Sequence, residues 1–203
     1  PNDSVGRYEA LGVNCINGAA KLVSPWTVEV NGKTLSARSI IIATGASPQV
    51  PNLPGLDTIS YLTSDSLWQL KVLPKRLLVL GGGPIGCELA QAFARLGSQV
   101  TLVEMAPRLL MREDGEVSTL VKNALEADGV RVLTGHKALR CQKDANNKAL
   151  WAAQVDNEAN IAQHIRIDFD QLICAVGRVA RLTGYGLEDL GIPTQRTVAT
   201  DDY

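Results

Sequence analysis

Three glycines at positions 81, 83 and 86 form the pattern G-x-G-x-x-G, which can bind the pyrophosphate of a dinucleotide. The pattern directly follows the apolar run Arg76–Leu80 and directly precedes a predicted helix that begins at Pro84. The first glycine would allow a sharp turn, the second would let the backbone approach the pyrophosphate, and the third would let helix and strand pack closely. The anion would then lie at the helix N-terminus, where free N–H groups and the helix dipole favour negative charge.

An acidic residue, Glu104, ends the next predicted strand, 23 positions after Gly81 and close to the spacing of about 20 that is typical of such sites. We expect its carboxylate to accept hydrogen bonds from the hydroxyls of the adenosine ribose. Because a carboxylate there repels a 2′-phosphate, the sequence favours NAD(H) over NADP(H). Arg108 and Arg112 follow in the next loop and could instead bind a phosphate. We interpret residues 76–104 as a nicotinamide-dinucleotide binding βαβ unit.

Glu88 lies in the first turns of the predicted helix, and two interpretations of it stay open. An acidic side chain is favourable near a helix N-terminus whether or not a ligand is bound. Alternatively, its carboxylate points at the nicotinamide end of the cofactor. The neighbouring Cys87 is interpreted as packing against the sheet rather than as a redox thiol.

The pattern around this unit predicts a parallel sheet, because short strands and helices alternate along the chain. Gly97 and Gly129 close the two helices, and Asp114 can cap the second. The predicted strands are residues 76–80, 99–104 and 130–133, and the predicted helices are residues 84–96 and 114–128.

The flanking sequences lack the helical period. Residues 1–45 are predicted to be all β, with strands at 13–16, 26–30 and 39–43 and a tight turn at Asn31-Gly32. The sequence also predicts an irregular crossing segment at 46–54 and a short helix at 64–70 with Ser64 as its possible N-cap. Further along, it predicts antiparallel strands at 137–142, 150–155 and 161–167, a turn at 144–147 and a buried strand at 171–176. The predicted fold class is α/β, with a Rossmann-like parallel βαβαβ sheet, an antiparallel β-meander and β-rich flanking pieces.

Composition excludes several other classes of protein. The formal net charge is −1, which argues against nucleic acid or an anionic membrane as the main partner. No apolar segment reaches the roughly 20 residues that span a bilayer. The four cysteines are too far apart for a zinc knuckle or a CxxC pair, so we expect a reduced, cytoplasmic protein. No Tyr-x-x-x-Lys pair is present, which argues against a self-sufficient dehydrogenase.

Three ordered segments of the chain resemble the FAD-dependent pyridine nucleotide–disulfide oxidoreductases. The first is residues 40–48, with Ala-Thr-Gly at 43–45, followed by Pro-Gly-Leu at 54–56. The second is the glycine-rich segment, residues 80–88, and the third is Ala-Val-Gly-Arg at 175–178. The acidic residue at the end of the second strand, Glu104, resembles its counterpart in the NADH-using branch of the family, which includes dihydrolipoamide dehydrogenase-like and mercuric reductase-like flavoproteins.

The resemblance implies a role for each matching residue. Glu88 would contact the nicotinamide ribose, Gly177 would lie near the nicotinamide and Ala138 near the adenine. The fingerprint residues implied to bind NADH are Gly81, Gly82, Gly83, Pro84, Ile85 and Gly86. The residues implied to line the FAD site are Thr44, Gly45 and Ala46, with Ala20 at a backbone-contact position.

The resemblance also implies how the chain is divided. Residues 1–62 would be a partial FAD-domain segment, residues 63–180 the NAD(P)H-binding domain, and residues 181–203 the start of the return to the FAD domain. The family's own FAD-binding GxGxxG, its CxxxxC disulfide and its C-terminal dimerisation domain with a His-Glu pair do not occur in these residues. We therefore expect a central excerpt of a homodimeric parent enzyme.

The expected function is to position NADH for hydride exchange with the FAD of that parent, while the excerpt alone has no disulfide reductase activity. The alternative is a regulatory module that senses NAD without turnover. The Ala-Thr-Gly segment argues against this alternative, since a self-contained nucleotide domain would not need it.

Overall fold

The computed structural model describes residues 4–145, 147–155 and 161–200. The chain divides into two units, one made of Pro1–Ser47 with Ala180–Tyr203 and the other of Pro48–Val179. Within the described residues, no helix combines the length and the apolar character that a membrane crossing requires.

The smaller unit begins with a helix and continues as an antiparallel sheet. Its elements are α1 (Val5–Ala10), β1 (Ala20–Ser24), β2 (Thr27–Val30) and β3 (Lys33–Ser36). The strand order is β1-β2-β3. Asn31 and Gly32 have positive φ angles of 53° and 72° and join β2 to β3. The tight turn predicted from Asn-Gly is therefore confirmed.

Three expectations for this unit are wrong. The all-β assignment misses α1, which forms because the Ser4 side chain caps its N-terminus by accepting from the Arg7 N–H. Residues 13–16 and 39–43 form no strand, and Ile41 is 89% exposed. A strand needs a neighbour to pair its backbone groups. No strand among the described residues pairs with either run.

The larger unit alternates strands and helices along the sequence. After β4 (Ala46–Pro48), which carries the chain from one unit to the other, its elements are β5 (Tyr61–Leu62), β6 (Arg76–Leu80), α2 (Pro84–Arg95), β7 (Gln99–Val103), α3 (Gly115–Ala127), β8 (Arg131–Leu133), β9 (His136–Asp144), β10 (Asn147–Val155), β11 (Ile161–Phe169) and β12 (Gln171–Cys174). The chain then returns through β13 (Arg178–Ala180). Short 3-10 helices occupy Leu56–Thr58 and Leu67–Gln69.

Five of these strands form one sheet in the order β5-β12-β6-β7-β8, and every neighbouring pair is parallel. The strands β9, β10 and β11 form a separate antiparallel sheet. The predicted βαβαβ unit and the predicted meander are therefore confirmed, with boundaries that differ by a few residues. Asn146, in the middle of the predicted turn at 144–147, lies outside the described residues.

The predicted helix at 64–70 is reduced to the 3-10 turn Leu67–Gln69, and Ser66 rather than Ser64 occupies its N-cap. Hydroxyl groups in this segment bond to nearby backbone groups. The Ser66 hydroxyl, for example, accepts from the Thr63 N–H at 3.0 Å. Such local bonds compete with the regular hydrogen bonds of an α-helix.

The parallel sheet is covered on both faces, which gives the unit three layers. Leu77 and Val79 of β6 point to the face that packs against α2 and α3. Leu78 and Leu80 point to the opposite face, where they pack with residues of β10 and β11 such as Leu150. Because all four side chains are buried, β6 has the continuous apolar sequence of a strand enclosed on both sides.

An ion pair ties the meander to the start of β6. The Arg76 guanidinium donates to Asp170 Oδ1 at 2.7 Å, and the Arg76 N–H donates to Asp170 Oδ2 at 2.9 Å. These hydrogen bonds hold the pKa of the Asp170 carboxyl below its ordinary value. A carboxyl with a lowered pKa stabilises the fold above its unfolded value of about 3.9, and this stabilisation is lost as the pH falls through the folded value.

We expect Asp170→Asn to lower the free energy of unfolding by about 1 kcal/mol at pH 7, since the pair is charge-assisted but partly exposed to solvent. Urea unfolding from pH 7 downwards measures this difference, which should stay constant to about pH 5 and shrink at lower pH.

The exposed ion pair between Lys21 and Asp189 is the control, and Asp189→Asn should cause no measurable change. If the decrease in the free energy of unfolding caused by Asp170→Asn stays the same at acidic pH, the charge of Asp170 is not the source of that decrease.

Candidate functional site

A cavity of about 590 Å³ lies in the larger unit. The glycine-rich loop, residues 81–85, forms one wall, and Glu104 with residues 108 and 110–113 forms another. Residues 174–178 complete the lining together with Pro48 and Ser64. These segments follow the carboxyl ends of β6, β7 and β12, which meet at one edge because the strands are parallel. In open α/β sheets this edge is where ligands bind.

The protein's own packing explains two of the three motif glycines but not the third. Gly81 has a φ of 106°, and a Cβ there would collide with the carbonyl oxygen of Ala175. A Cβ on Gly86 would collide with the carbonyl oxygen of Gly81. Gly83, in contrast, has an ordinary φ of −77°, and a Cβ there would have no protein atom within 4 Å beyond its two chain neighbours. The space beside Gly83 opens into the cavity and is suited to a ligand that approaches the backbone.

The start of α2 supplies hydrogen-bond donors to the same space. Gly83 is the N-cap residue and makes no side-chain cap, and Pro84 at the first helical position has no N–H to lose. The N–H groups of Ile85 and Gly86 lie in the first turn, where no helical carbonyl reaches them. Together with the helix dipole they can bind a phosphate group.

Glu104 lies just beyond the end of β7 and is fixed by backbone groups. Its Oε2 accepts from the Gly82 N–H at 2.6 Å, and its Oε1 accepts from the Ala106 N–H at 2.7 Å. Its own N–H donates to the carbonyl of Leu133 at 2.9 Å. Each carboxylate oxygen has a further lone pair, so Glu104 can still accept from ligand hydroxyls.

The two arginines of the next loop differ in their surroundings. The guanidinium of Arg108 donates from Nη1 to the carbonyl of Glu113 at 2.7 Å and to the Ser118 hydroxyl at 2.6 Å, and from Nη2 to the carbonyl of Met111 at 3.0 Å. Arg112 is exposed and lines the cavity. Most of the donors of Arg108 therefore bond to the protein, whereas Arg112 is exposed at the cavity wall.

Sequence reasoning missed Ser118, which is only 3% exposed. It lies on α3 in the same stripe as Val121 and Leu125, which pack into the core. A polar residue within an apolar helical stripe is the signal that could have identified it, because a buried hydroxyl requires hydrogen-bond partners.

The cysteines near the cavity are not activated. Burial raises the pKa of Cys87 to about 11 and that of Cys174 to about 12. Both thiols are therefore protonated at neutral pH and are poor nucleophiles. The packing role predicted for Cys87 agrees with its burial beneath the glycine-rich loop.

Three other residues are predicted to contact NADH, and only one of them lines the cavity. Gly177, with a φ of 137°, lines the cavity beside Gln49. Glu88 is exposed on α2 and lies outside the cavity lining, and Ala138 on β9 packs against the core beneath the meander. The structure thus brings the glycine-rich loop, Glu104 and Gly177 together, and the roles of these residues stay predictions.

The residues predicted to line the FAD site lie in the smaller unit and its connection. Thr44 donates through its hydroxyl to the carbonyl of Arg181 at 3.1 Å, and Gly45 has a φ of 69°. Ala20 is the first residue of β1, and Ala46 is the first residue of β4. Their contact with FAD also stays a prediction.

Comparison with known proteins identifies relatives over almost the whole chain. The family described as pyridine nucleotide-disulphide oxidoreductase matches residues 5–203. A mercuric reductase of Bacillus cereus is 41% identical over 201 residues, which are 98% of this chain and 31% of that protein. A dihydrolipoyl dehydrogenase of Thermus scotoductus is 40% identical over 186 residues, which are 89% of this chain and 38% of that protein.

The structural comparison agrees. The HOCl-induced flavoprotein disulfide reductase RclA from Escherichia coli superposes with a TM-score of 0.79 at 28% sequence identity, over 97% of this chain and 45% of that one. The chain spans about a third of the length of the curated relatives that it matches. Since the family match covers nearly every residue and the fold agrees, this chain belongs to the pyridine nucleotide-disulphide oxidoreductase family.

Proposed function

We propose that this chain holds NADH in the cavity at the edge of the parallel sheet and positions it for hydride exchange with the FAD of a flavoprotein oxidoreductase. Enzymes of the family use FAD and pyridine nucleotides. The single observation that carries the proposal is Gly83, which lines the cavity and whose lack of a side chain no neighbouring protein atom explains. A ligand backbone that must come close to this residue, such as a pyrophosphate, does explain it.

The residues around Gly83 fit a dinucleotide. The first turn of α2 offers N–H groups to the pyrophosphate, and Glu104 offers carboxylate oxygens to a ribose. We place the nicotinamide toward Gly177, with Glu88 near its ribose, and the adenine toward Ala138. When bound, the nicotinamide supplies the hydride and the flavin accepts it. The chain's own contribution is to bind the dinucleotide and orient it.

Selectivity for NADH over NADPH follows from the charges near the proposed ribose site. Glu104 is a fixed negative charge, and a 2′-phosphate beside it would be repelled. Arg108 could offset this repulsion, but it already donates to backbone carbonyls and to Ser118. Arg112 is the remaining cation of this loop on the cavity wall. The charge of Glu104 and the contacts that occupy Arg108 support NADH as the preferred cofactor, whereas the exposed Arg112 opposes this preference.

Calorimetric titration of the chain with NADH and with NADPH tests the proposal. We expect a dissociation constant at least roughly tenfold lower for NADH, because two like charges separated by a few ångströms near a protein surface repel by more than about 1.4 kcal/mol. Glu104→Gln should reduce the ratio of the NADPH dissociation constant to the NADH dissociation constant, since it removes the charge and keeps the size of the side chain. Tighter binding of NADPH by the unsubstituted chain would contradict the proposal.

Glu116→Gln is the matched control for this substitution. Glu116 lies in the first turn of α3 and outside the cavity lining, so its loss removes one negative charge without touching the proposed ribose site. The ratio of the NADPH dissociation constant to the NADH dissociation constant should change much less than in Glu104→Gln. An equal change in both variants would indicate a general effect of net charge rather than a contact.

The activity of the whole enzyme stays a proposal. We propose that the intact protein is a cytoplasmic homodimer, that residues 20 and 44–46 contribute to its FAD site, and that this chain alone reduces no disulfide. FAD that co-purifies with the 203-residue chain would contradict the view that the chain holds only part of the flavin site.

A further inference from the structure

Leu110 has an unusual backbone conformation at the edge of the cavity. Its φ is 49°, in the left-handed region that residues other than glycine, asparagine and aspartate seldom adopt. Such a conformation costs on the order of 1–3 kcal/mol and persists only where surrounding contacts hold it. Three contacts hold this residue. The Leu110 N–H donates to the carbonyl of Gly82 at 2.9 Å, and the Leu110 carbonyl accepts from the Glu113 N–H at 2.8 Å and from Nη1 of Arg108 at 3.4 Å.

Arg108 is the common partner of the whole segment. Besides Leu110, its guanidinium contacts the carbonyls of Met111 and Glu113 and the hydroxyl of Ser118. A planar fork of donors can satisfy several acceptors in fixed directions, which a lysine ammonium cannot do. Arg108 therefore holds residues 110–113 around itself, together with the turn bond from the Glu113 N–H to the Leu110 carbonyl.

Ser118 anchors this arrangement to the core. Its buried hydroxyl accepts from Arg108 at 2.6 Å and lies 2.6 Å from the carbonyl of Leu109, to which it donates. Leu109 itself is 1% exposed and packs with the residues under α2 and α3. The guanidinium is thus held by a hydroxyl that is itself buried in the core.

These contacts continue to the glycine-rich loop. Leu110 holds the carbonyl of Gly82, and Glu104 holds the N–H of Gly82. Both polar backbone groups of Gly82 are therefore occupied, which fixes the orientation of the peptide next to Gly83. Arg108 also lines the cavity, but a change at Arg108 would reach the proposed pyrophosphate site through Leu110 and Gly82.

We propose that Arg108 is a positioning residue, which holds Leu110 in its left-handed conformation and so orients the glycine-rich loop for the dinucleotide. This inference rests on the proposed function, since it assigns a role within the same NADH site. It differs from phosphate recognition by Arg108, because it depends on the donor geometry of the guanidinium and not on its positive charge.

The test compares dissociation constants for NADH, measured by calorimetry on the 203-residue chain. Arg108→Gln should weaken NADH binding about fivefold to tenfold, which corresponds to the release of one strained residue. Arg108→Lys should weaken it to a similar extent, since it keeps the charge but loses the fork. If Arg108→Gln does not give a folded protein by circular dichroism, the lysine variant carries the test.

A second background isolates the contribution of Leu110. Glycine adopts the left-handed conformation without strain, so Leu110→Gly should make the conformation independent of Arg108. In that background, Arg108→Gln should change the NADH affinity less than twofold. Equal losses with and without Leu110→Gly would overturn the proposed coupling.

Arg112→Gln is the charge-matched control in the same segment. Any loss it causes should arise from electrostatic attraction and should fade at high salt, whereas the loss from Arg108→Gln should persist. Restoration of full affinity by Arg108→Lys, or a salt-sensitive loss in Arg108→Gln, would overturn the inference and leave the NADH proposal intact. Absence of NADH binding by the unsubstituted chain would overturn both.

Discussion

Gly86→Ala is expected to destabilise the larger unit severely, by on the order of 3 kcal/mol in the free energy of unfolding. The new Cβ would collide with the carbonyl oxygen of Gly81, which is a backbone atom. Gly81 cannot easily move away, because its N–H donates to the carbonyl of Val103 at 2.9 Å and its φ is 106°. Urea unfolding followed by circular dichroism measures the loss, and NADH binding should be lost with the fold.

Gly115→Ala provides the matched control for this prediction. Gly115 is also helical, at the start of α3, but a Cβ there would have no neighbour within 4 Å. Alanine should leave stability unchanged or raise it by up to about 1 kcal/mol, since it restricts the unfolded chain. Equal stability of the two variants would contradict the close packing of α2 on the glycine-rich loop.

In contrast to Gly86→Ala, Gly83→Val is expected to give a stably folded protein that does not bind NADH. Valine suits the extended backbone of Gly83 before Pro84, and its Cβ would project into open space. The fold should lose no more than about 1 kcal/mol, from the poorer helix cap. The side chain would occupy the place proposed for the pyrophosphate, so the affinity should fall by more than about 100-fold, or about 2.7 kcal/mol.

Calorimetry with NADH and urea unfolding on the same preparation distinguish these effects. Gly83→Ala, a smaller step in the same direction, should give an intermediate loss of affinity. Unchanged binding in Gly83→Val would refute the pyrophosphate position, and an unfolded protein would refute the view that the protein itself leaves this space empty.

The parallel sheet could be predicted from sequence because its determinants are local. The run Arg76–Leu80 is apolar at every position that the two covering layers bury, and glycines mark the turn into α2 and the end of that helix. Strand length, helix period and turn residues therefore agree with one another in this region. The same local consistency made the glycine-rich loop and Glu104 recognisable as one site.

The strand predicted at residues 39–43 was wrong for the converse reason. Its apolar residues satisfy the composition of a strand, but a strand exists only when another backbone pairs with it. In the smaller unit, the buried apolar residues within the described ranges are Leu22, Val30 and Leu187. So small a core gives little packing energy to order the neighbouring segments.

The arrangement around Arg108 could not be predicted either. Its acceptors are backbone carbonyls, which every residue type carries, and their directions depend on the left-handed conformation of Leu110. Leucine gives no sign of that conformation in a sequence. Motif spacing identifies residues that touch a ligand more readily than residues that shape the loop behind them.

The position of β12 has a consequence for synthesis of the protein. β12 lies between β5 and β6, yet the ribosome completes it only after both helices and all three strands of the meander. Until then, the side of β6 that later pairs with β12 has unpaired N–H and C=O groups next to fully apolar side chains. Such an edge can pair with other nascent chains. This edge of β6 stays open throughout the interval between synthesis of residue 80 and residue 174.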